Sequence, residues 1–214
     1  MPRPARSNPL ALAVLVTLYE KPMHPYEVAQ TLRTRAKQES VRLNYGSLYA
    51  VVESLEKRGL ITARETVRQG RLPERTVYEI TDAGSREMTD WMTDLIGVPE
   101  KEYPKFMAGL SFLGALDPDD AVLALHGRAD ALGVKIAGLR GAMRAARDAG
   151  LPRIFGLESE YEEQLMEAEL HFVNGLIKDI ESGDLDGVDM WRSFHTEGTI
   201  PMEGVVFNFD PSPS

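Results

Sequence analysis

The 214-residue sequence contains no cysteine, which excludes disulfides and thiolate metal sites and is compatible with an intracellular life. It has no apolar run near the ~18 residues that a membrane span needs. Its start, Met1 to Arg6, lacks the long apolar core of a secretion signal, so the cytoplasm is the expected location. It also has no glycine-rich phosphate loop and no cysteine nucleophile. Its four histidines, His24, His126, His171 and His195, stand far apart and never at metal-ligand spacing on one helix. Neither a catalytic centre, a metal nor a cofactor is expected. Basic charge is scarce overall: the net charge is −9, at first sight wrong for a partner of a polyanion.

What is present changes that picture. With 43% hydrophobic and 27% charged residues the chain can bury an ordinary core. Residues 1–90 hold 14 Lys and Arg against 11 Asp and Glu, whereas residues 91–214 hold 10 against 22. Between Arg33 and Arg75 the basic residues outnumber the acidic by 10 to 5. Such asymmetry suggests a nucleic-acid module joined to a module with another task.

The first half is organised around Asn44 to Ile61. Asn44 is a good N-cap, and Leu48, Val52 and Leu55 recur at helical spacing, so one face is buried. The opposite face carries Tyr45, Tyr49 and Glu53, with Ser47 in the first turn, and Gly59 is a left-handed stop. The spacing predicts a recognition helix in a DNA major groove, with Ser47 and Tyr49 on phosphates or base edges and Tyr45 stacking or clamping the backbone. Two helices precede it: one after Ser7-Asn8-Pro9, another from His24-Pro25 to about Arg35, whose first turn bears Tyr26. Two strand-like runs follow, Leu60–Val67 and Thr76–Ile80. They flank the hairpin tip Arg68 to Arg75, whose Arg68, Arg71 and Arg75 suit a phosphate-touching wing. The expected DNA-binding set is therefore Tyr26, Asn44, Tyr45, Ser47, Tyr49, Arg68, Arg71 and Arg75.

Four segments in register carry a resemblance: Met23-His24-Pro25-Tyr26-Glu27-Val28, Gly46-Ser47-Leu48-Tyr49, Leu55-Glu56-Lys57-Arg58-Gly59-Leu60-Ile61 and Arg75-Thr76-Val77-Tyr78-Glu79-Ile80-Thr81-Asp82-Ala83-Gly84. Together they resemble the PadR family of bacterial transcriptional regulators. Pro25 departs from the glycine common in members. The stretch Glu102 to Phe106 with Leu110 to Leu113 resembles the start of the longer C-terminal helical domain of one branch. The resemblance implies a homodimeric winged-helix repressor, released from double-stranded DNA by a small molecule or other signal.

The second half reads as helical. Asp117-Pro118-Asp119-Asp120 starts a helix whose Val122, Leu125, Ala129, Leu132, Ile136, Leu139, Met143 and Ala146 form a heptad seam. A last helix, about Leu157 to Ser182, carries two apolar stripes. One is Tyr161, Leu165, Ala168, Phe172, Leu176 and Ile180; the other is Met166, Leu170, Val173 and Ile177. One stripe satisfies the chain itself, so the surplus predicts a dimerisation arm built from Leu132, Ile136, Leu139, Leu165, Phe172, Leu176 and Ile180. Trp91, Met92, Tyr103 and Phe106 straddle the junction of the halves and are candidate effector-binding residues, with plain core packing as their bland alternative.

The expected fold is mostly α: a winged helix-turn-helix with a two-stranded wing (1–98), a helical dimerisation and effector domain (99–183) and a largely irregular tail (184–214). Within that tail Val205-Val206-Phe207 is a candidate docking segment. The expected function is dimeric, sequence-specific DNA binding that controls transcription. The alternative is a helical small-molecule-binding or protein-scaffolding dimer whose winged helix contacts protein.

Overall fold

Asn8 caps the first helix, α1 (Pro9–Glu20), by accepting from the Leu10 N–H, and Pro9 takes the first turn, where its missing N–H costs nothing. His24 caps α2 (Pro25–Thr34) through a reciprocal box: its Nδ1 accepts from the Tyr26 N–H while Glu27 accepts from the His24 N–H. Asn44 caps α3 (Tyr45–Lys57). This computed structural model describes residues 8–37, 41, 44–67 and 75–197.

The antiparallel strands β1 (Ile61–Val67) and β2 (Arg75–Ile80) follow, with a register shift between Ala63 and Glu65. Met23, just before α2, adds a bridge to β2, exchanging both backbone hydrogen bonds with Tyr78 at 3.0 Å. The hairpin is thereby tied to the helices as well as to α4 (Asp82–Gly97). One core serves all of these elements, with Val14, Leu15, Val28, Leu48, Leu55 and Ile61 buried in it.

The motif Ile80-Thr81-Asp82-Ala83-Gly84 has a packing reason. Thr81 accepts from the Gly84 N–H and donates its hydroxyl to the Gly59 carbonyl at 2.7 Å, locking the start of α4 onto the end of α3. A Cβ on Gly84 would sit 2.0 Å from the Leu60 carbonyl oxygen, so only glycine lets the two backbones approach this closely.

The chain divides into two compact units between Lys101 and Glu102, three residues beyond the boundary expected from sequence. The second unit begins with α5 (Lys105–Ser111) and a short 3-10 turn, Leu113–Ala115. Then come α6 (Pro118–Asp148), capped by Asp117, a second 3-10 turn (Arg153–Gly156), and α7 (Leu157–Ser182). The helices α6 and α7 pack as a hairpin, pinned by Arg128 to Glu169 at 2.5 Å and by Arg140 to Glu163 and Glu167.

Two expectations change here. The tail is not irregular from residue 184: Val188–Glu197 forms α8. Gly183 and Gly187, both at positive φ, reverse the chain, and Val188 is then buried in the α6–α7 core. The Trp191 indole donates to the Leu116 carbonyl at 2.8 Å and the Arg192 guanidinium to the Ile180 carbonyl at 3.0 Å. Val205-Val206-Phe207 lies outside the described residues.

The second change concerns the dimerisation set. Leu132, Ile136 and Ile180 are buried by the chain's own helices, which leaves little of them for a second copy to touch. Leu139 is half-buried along the α6 seam, and Leu176 packs against the core. The inward stripe of α7 is the one containing Val173 and Ile177, while Tyr161, Leu165 and Phe172 remain exposed. Periodicity shows that a helix has two stripes but not which one faces inward.

Candidate nucleic-acid interface

On α3 the apolar positions Leu48, Val51, Val52 and Leu55 anchor the helix in the core. The residues on its opposite side are consequently turned outward: Tyr45 is 38% and Tyr49 49% exposed, and Ser47 is exposed between them. Asn44 Oδ1 accepts from the Ser47 N–H at 2.7 Å. Asn44 thus holds the helix start through its Oδ1. Gly46 is exposed, and a Cβ there would meet no more than the Asn44 side chain at 3.7 Å, so the first turn presents backbone at its surface.

Tyr26 comes to the same place from α2. Its ring stacks on Tyr45, nearly parallel at 8° and 6.2 Å between centroids. Arg33, which the sequence reading did not single out, completes the group. Its guanidinium lies 4.5 Å over the Tyr45 ring and donates to the Tyr45 hydroxyl at 2.5 Å. The only advance signal was its place in the basic stretch, because residues twelve apart in sequence meet here only through the packing of α2 on α3.

At the far end of α3, Lys57 pairs with Glu53 at 2.8 Å, and Arg58 with Glu87 at 3.5 Å. Glu56 accepts from the Tyr78 hydroxyl at 3.3 Å; burial and then the Glu56 charge push that phenol's pKa up. These groups stabilise the frame behind the exposed tyrosines. Of the wing arginines, Arg75 opens β2, while Arg68 and Arg71 lie outside the described residues.

The four candidate effector residues divide between the units. Trp91 is buried in the first core, 2% exposed, while Met92 is exposed. In the second unit Tyr103 is exposed, and Phe106 packs edge-on against Phe172 beneath the Arg128 guanidinium. A concave surface of about 820 Å³ lies elsewhere in that unit, along α6 and α7, lined by Ile136, Arg140, Met143, Arg144, Glu163 and His171 among others. Among the described residues no cluster of His, Asp or Glu has the makings of a metal site, and no helix is long and apolar enough to cross a membrane.

Residues 14–90 match the Transcriptional regulator PadR-like family. The negative transcriptional regulator PadR of Bacillus subtilis (strain 168) is 31% identical over 77 residues, which is 36% of this chain and 42% of that protein. The sequence match therefore spans less than half of that relative. The crystal structure of Bacillus subtilis PadR in complex with operator DNA shares the fold with a TM-score of 0.64 at 20% identity, covering 79% of this chain and 97% of that one. The structure of the same protein in complex with p-coumaric acid gives a TM-score of 0.56 at 19% identity, covering 77% and 98%. At these identities the structural likeness establishes the fold, a winged helix-turn-helix followed by C-terminal helices. Residues 14–90, about a third of the chain, thus carry a domain of the transcriptional regulator PadR-like type.

Proposed function

We propose that the protein is a sequence-specific DNA-binding transcriptional regulator that acts as a homodimer, most simply as a repressor. The observation that carries this reading is α3: a helix anchored by Leu48, Val52 and Leu55 whose other face puts Tyr45, Ser47 and Tyr49 into solvent beside a hairpin. In a helix-turn-helix the corresponding helix enters the major groove N-terminus first. The basic excess between Arg33 and Arg75 supports it, because phosphate neutralisation supplies much of the affinity for duplex DNA.

Pairing of two copies is supported by the row Tyr161, Leu165 and Phe172 on α7, exposed by 65, 52 and 50%. A twofold pair would set two recognition helices about one DNA turn, roughly 34 Å, or a multiple of it apart, so the operator is an inverted repeat. Release by a small organic ligand belongs to the same proposal; Bacillus subtilis PadR, which shares the fold, has been crystallised in complex with p-coumaric acid. For this chain Met92, Tyr103 and Phe106 are the residues to vary.

A gel shift with the chain's own upstream DNA and with scrambled DNA, at low and moderate salt, tests the reading. Tight, retarded complexes on the upstream fragment alone at moderate salt support it. Equal affinity for both, or none, would leave the protein-scaffolding alternative in place.

A further inference from the structure

We propose that Arg33 of α2 is a phosphate contact of the interface and that Tyr45 is the residue that positions it. The inference rests on the DNA-binding reading and deepens it.

Two arginines lie on the last turns of α2 and its cap, and the structure treats them differently. Arg35 donates to both carboxylate oxygens of Glu20, at 2.5 and 2.7 Å, and its charge is neutralised there. Arg33 is exposed and has no acidic partner among the described residues. Among the described residues it meets Tyr45 twice: the cation lies over the ring face, and one N–H goes to the hydroxyl. A guanidinium has five N–H donors, and the hydrogen bond to Tyr45 uses one of them.

The chemistry that takes several coplanar donors and a full positive charge is an oxyanion with two acceptor oxygens, as in a backbone phosphate. The location fits that ligand, since Tyr45 is the first residue of α3, on the exposed side shared with Ser47 and Tyr49. The aromatic stack has a physical purpose in this scheme. An exposed arginine loses much side-chain freedom when it binds. Ring and hydroxyl hold Arg33 before DNA arrives, and Tyr26 braces the ring from α2. The Tyr45 hydroxyl accepts from Arg33, so the phenol acts through the arginine.

The test is a fluorescence anisotropy titration of the full chain against its own upstream duplex and a scrambled duplex across a salt series. The proteins are wild type, Arg33→Met, Tyr45→Phe, the double variant and Tyr49→Phe, with thermal melts run alongside. Arg33→Met is expected to melt as wild type and to bind both duplexes roughly a hundredfold more weakly, about tenfold for each of the two chains, the worth of a charge-assisted hydrogen bond apiece. Its log–log salt slope falls by about 0.9 per lost phosphate, hence roughly 1.8 for a pair of chains on one duplex. Tyr45→Phe is expected to lose roughly threefold with the slope unchanged, and to lose nothing further when Arg33 is already Met.

A wild-type slope for Arg33→Met, with Tyr49→Phe still weakening binding, would remove Arg33 from the interface while leaving the interface itself in place. An equal loss for Tyr45→Phe in both backgrounds would show Tyr45 touching DNA directly and would overturn its positioning role. Wild-type protein that binds neither duplex would end the DNA-binding reading and this inference with it.

Discussion

In the unit before Lys101, four helices and a hairpin converge on one core, and the large side chains left outside include Tyr26, Tyr45 and Tyr49, whose rings end in hydroxyls. In the unit after it, α6 and α7 share a single seam, and α7 leaves the apolar Leu165 and Phe172 half in water. The charge divides the same way, with the basic excess in the first half and the acidic excess in the second. A unit that completes its own core can present polar and aromatic groups rigidly to a ligand. Among the described residues the second core buries the Val173 and Ile177 stripe of α7, and the face carrying Tyr161 and Leu165 is left as apolar area that a partner could cover. On the proposed function, recognition and assembly would be carried by different kinds of surface in this chain.

The sharpest way to break the comparison is to charge the surplus face. Leu165→Glu with Phe172→Glu should leave helix content near wild type and convert a dimer to monomers. A carboxylate buried without a partner costs about 3 kcal/mol or more, on the order of 100-fold in the dissociation constant for each side chain. Light scattering over a concentration series reads this directly. An unchanged mass with an intact fold would place the pairing surface somewhere other than α7.

The next effect belongs to the first unit. Gly84→Ala drives a methyl to 2.0 Å from the Leu60 carbonyl oxygen and 2.8 Å from Ile80 Cγ1. The start of α4 must then move and strain the Thr81 bonds that hold it. A loss of about 3 kcal/mol, roughly 10–20 °C in Tm for a domain of this size, is expected. A melt that follows the first unit checks it, and a shift below about 2 °C would mean the backbones separate at little cost.

These two sites show what was legible from sequence. The caps Asn8, His24, Asn44 and Asp117 announced helix starts because a side chain that bonds its own backbone, next to a proline or an apolar period, has little other use at such positions. The outward tyrosines of α3 were legible because the 3.6-residue period of Leu48, Val52 and Leu55 dictates the opposite face. Arg33 was not, since its partner Tyr45 lies in another helix and no local pattern encodes that approach. Nor was α8: the glycines before it suggested a loop, and its Val188 and Trp191 gain a purpose only once α6 and α7 provide a surface. The inward stripe of α7 was also unreadable, because both stripes are apolar.

Smaller effects sharpen the first half of the comparison. Tyr49→Phe removes only an exposed hydroxyl, so stability should be unchanged and binding to the upstream duplex should fall by about 1 kcal/mol per recognition helix. Unaltered affinity in an anisotropy titration would mean that this hydroxyl stays in water. The smallest effect concerns pH. The hydrogen bond from Arg35 holds the Glu20 carboxyl below the ordinary carboxylate range, against the opposing effect of burial. A depressed folded value means that its stabilisation is present at neutral pH and is lost as pH falls through the ordinary range to the depressed value. Glu20→Gln should therefore lower stability near neutrality by no more than about 0.5 kcal/mol, given the exposure of both partners, with the difference closing in acid. Denaturant melts of both proteins across pH 2–7 check the sign; a difference that grows in acid would contradict it.

The division of labour itself is tested most directly by sedimentation of the full chain with its own upstream duplex. The account predicts that the chain alone sediments at twice its 23.8 kDa and that two chains load together on one inverted repeat, with a single half-site bound far more weakly. A 23.8 kDa species that loads one chain at a time, with equal affinity for half-site and full repeat, would contradict it.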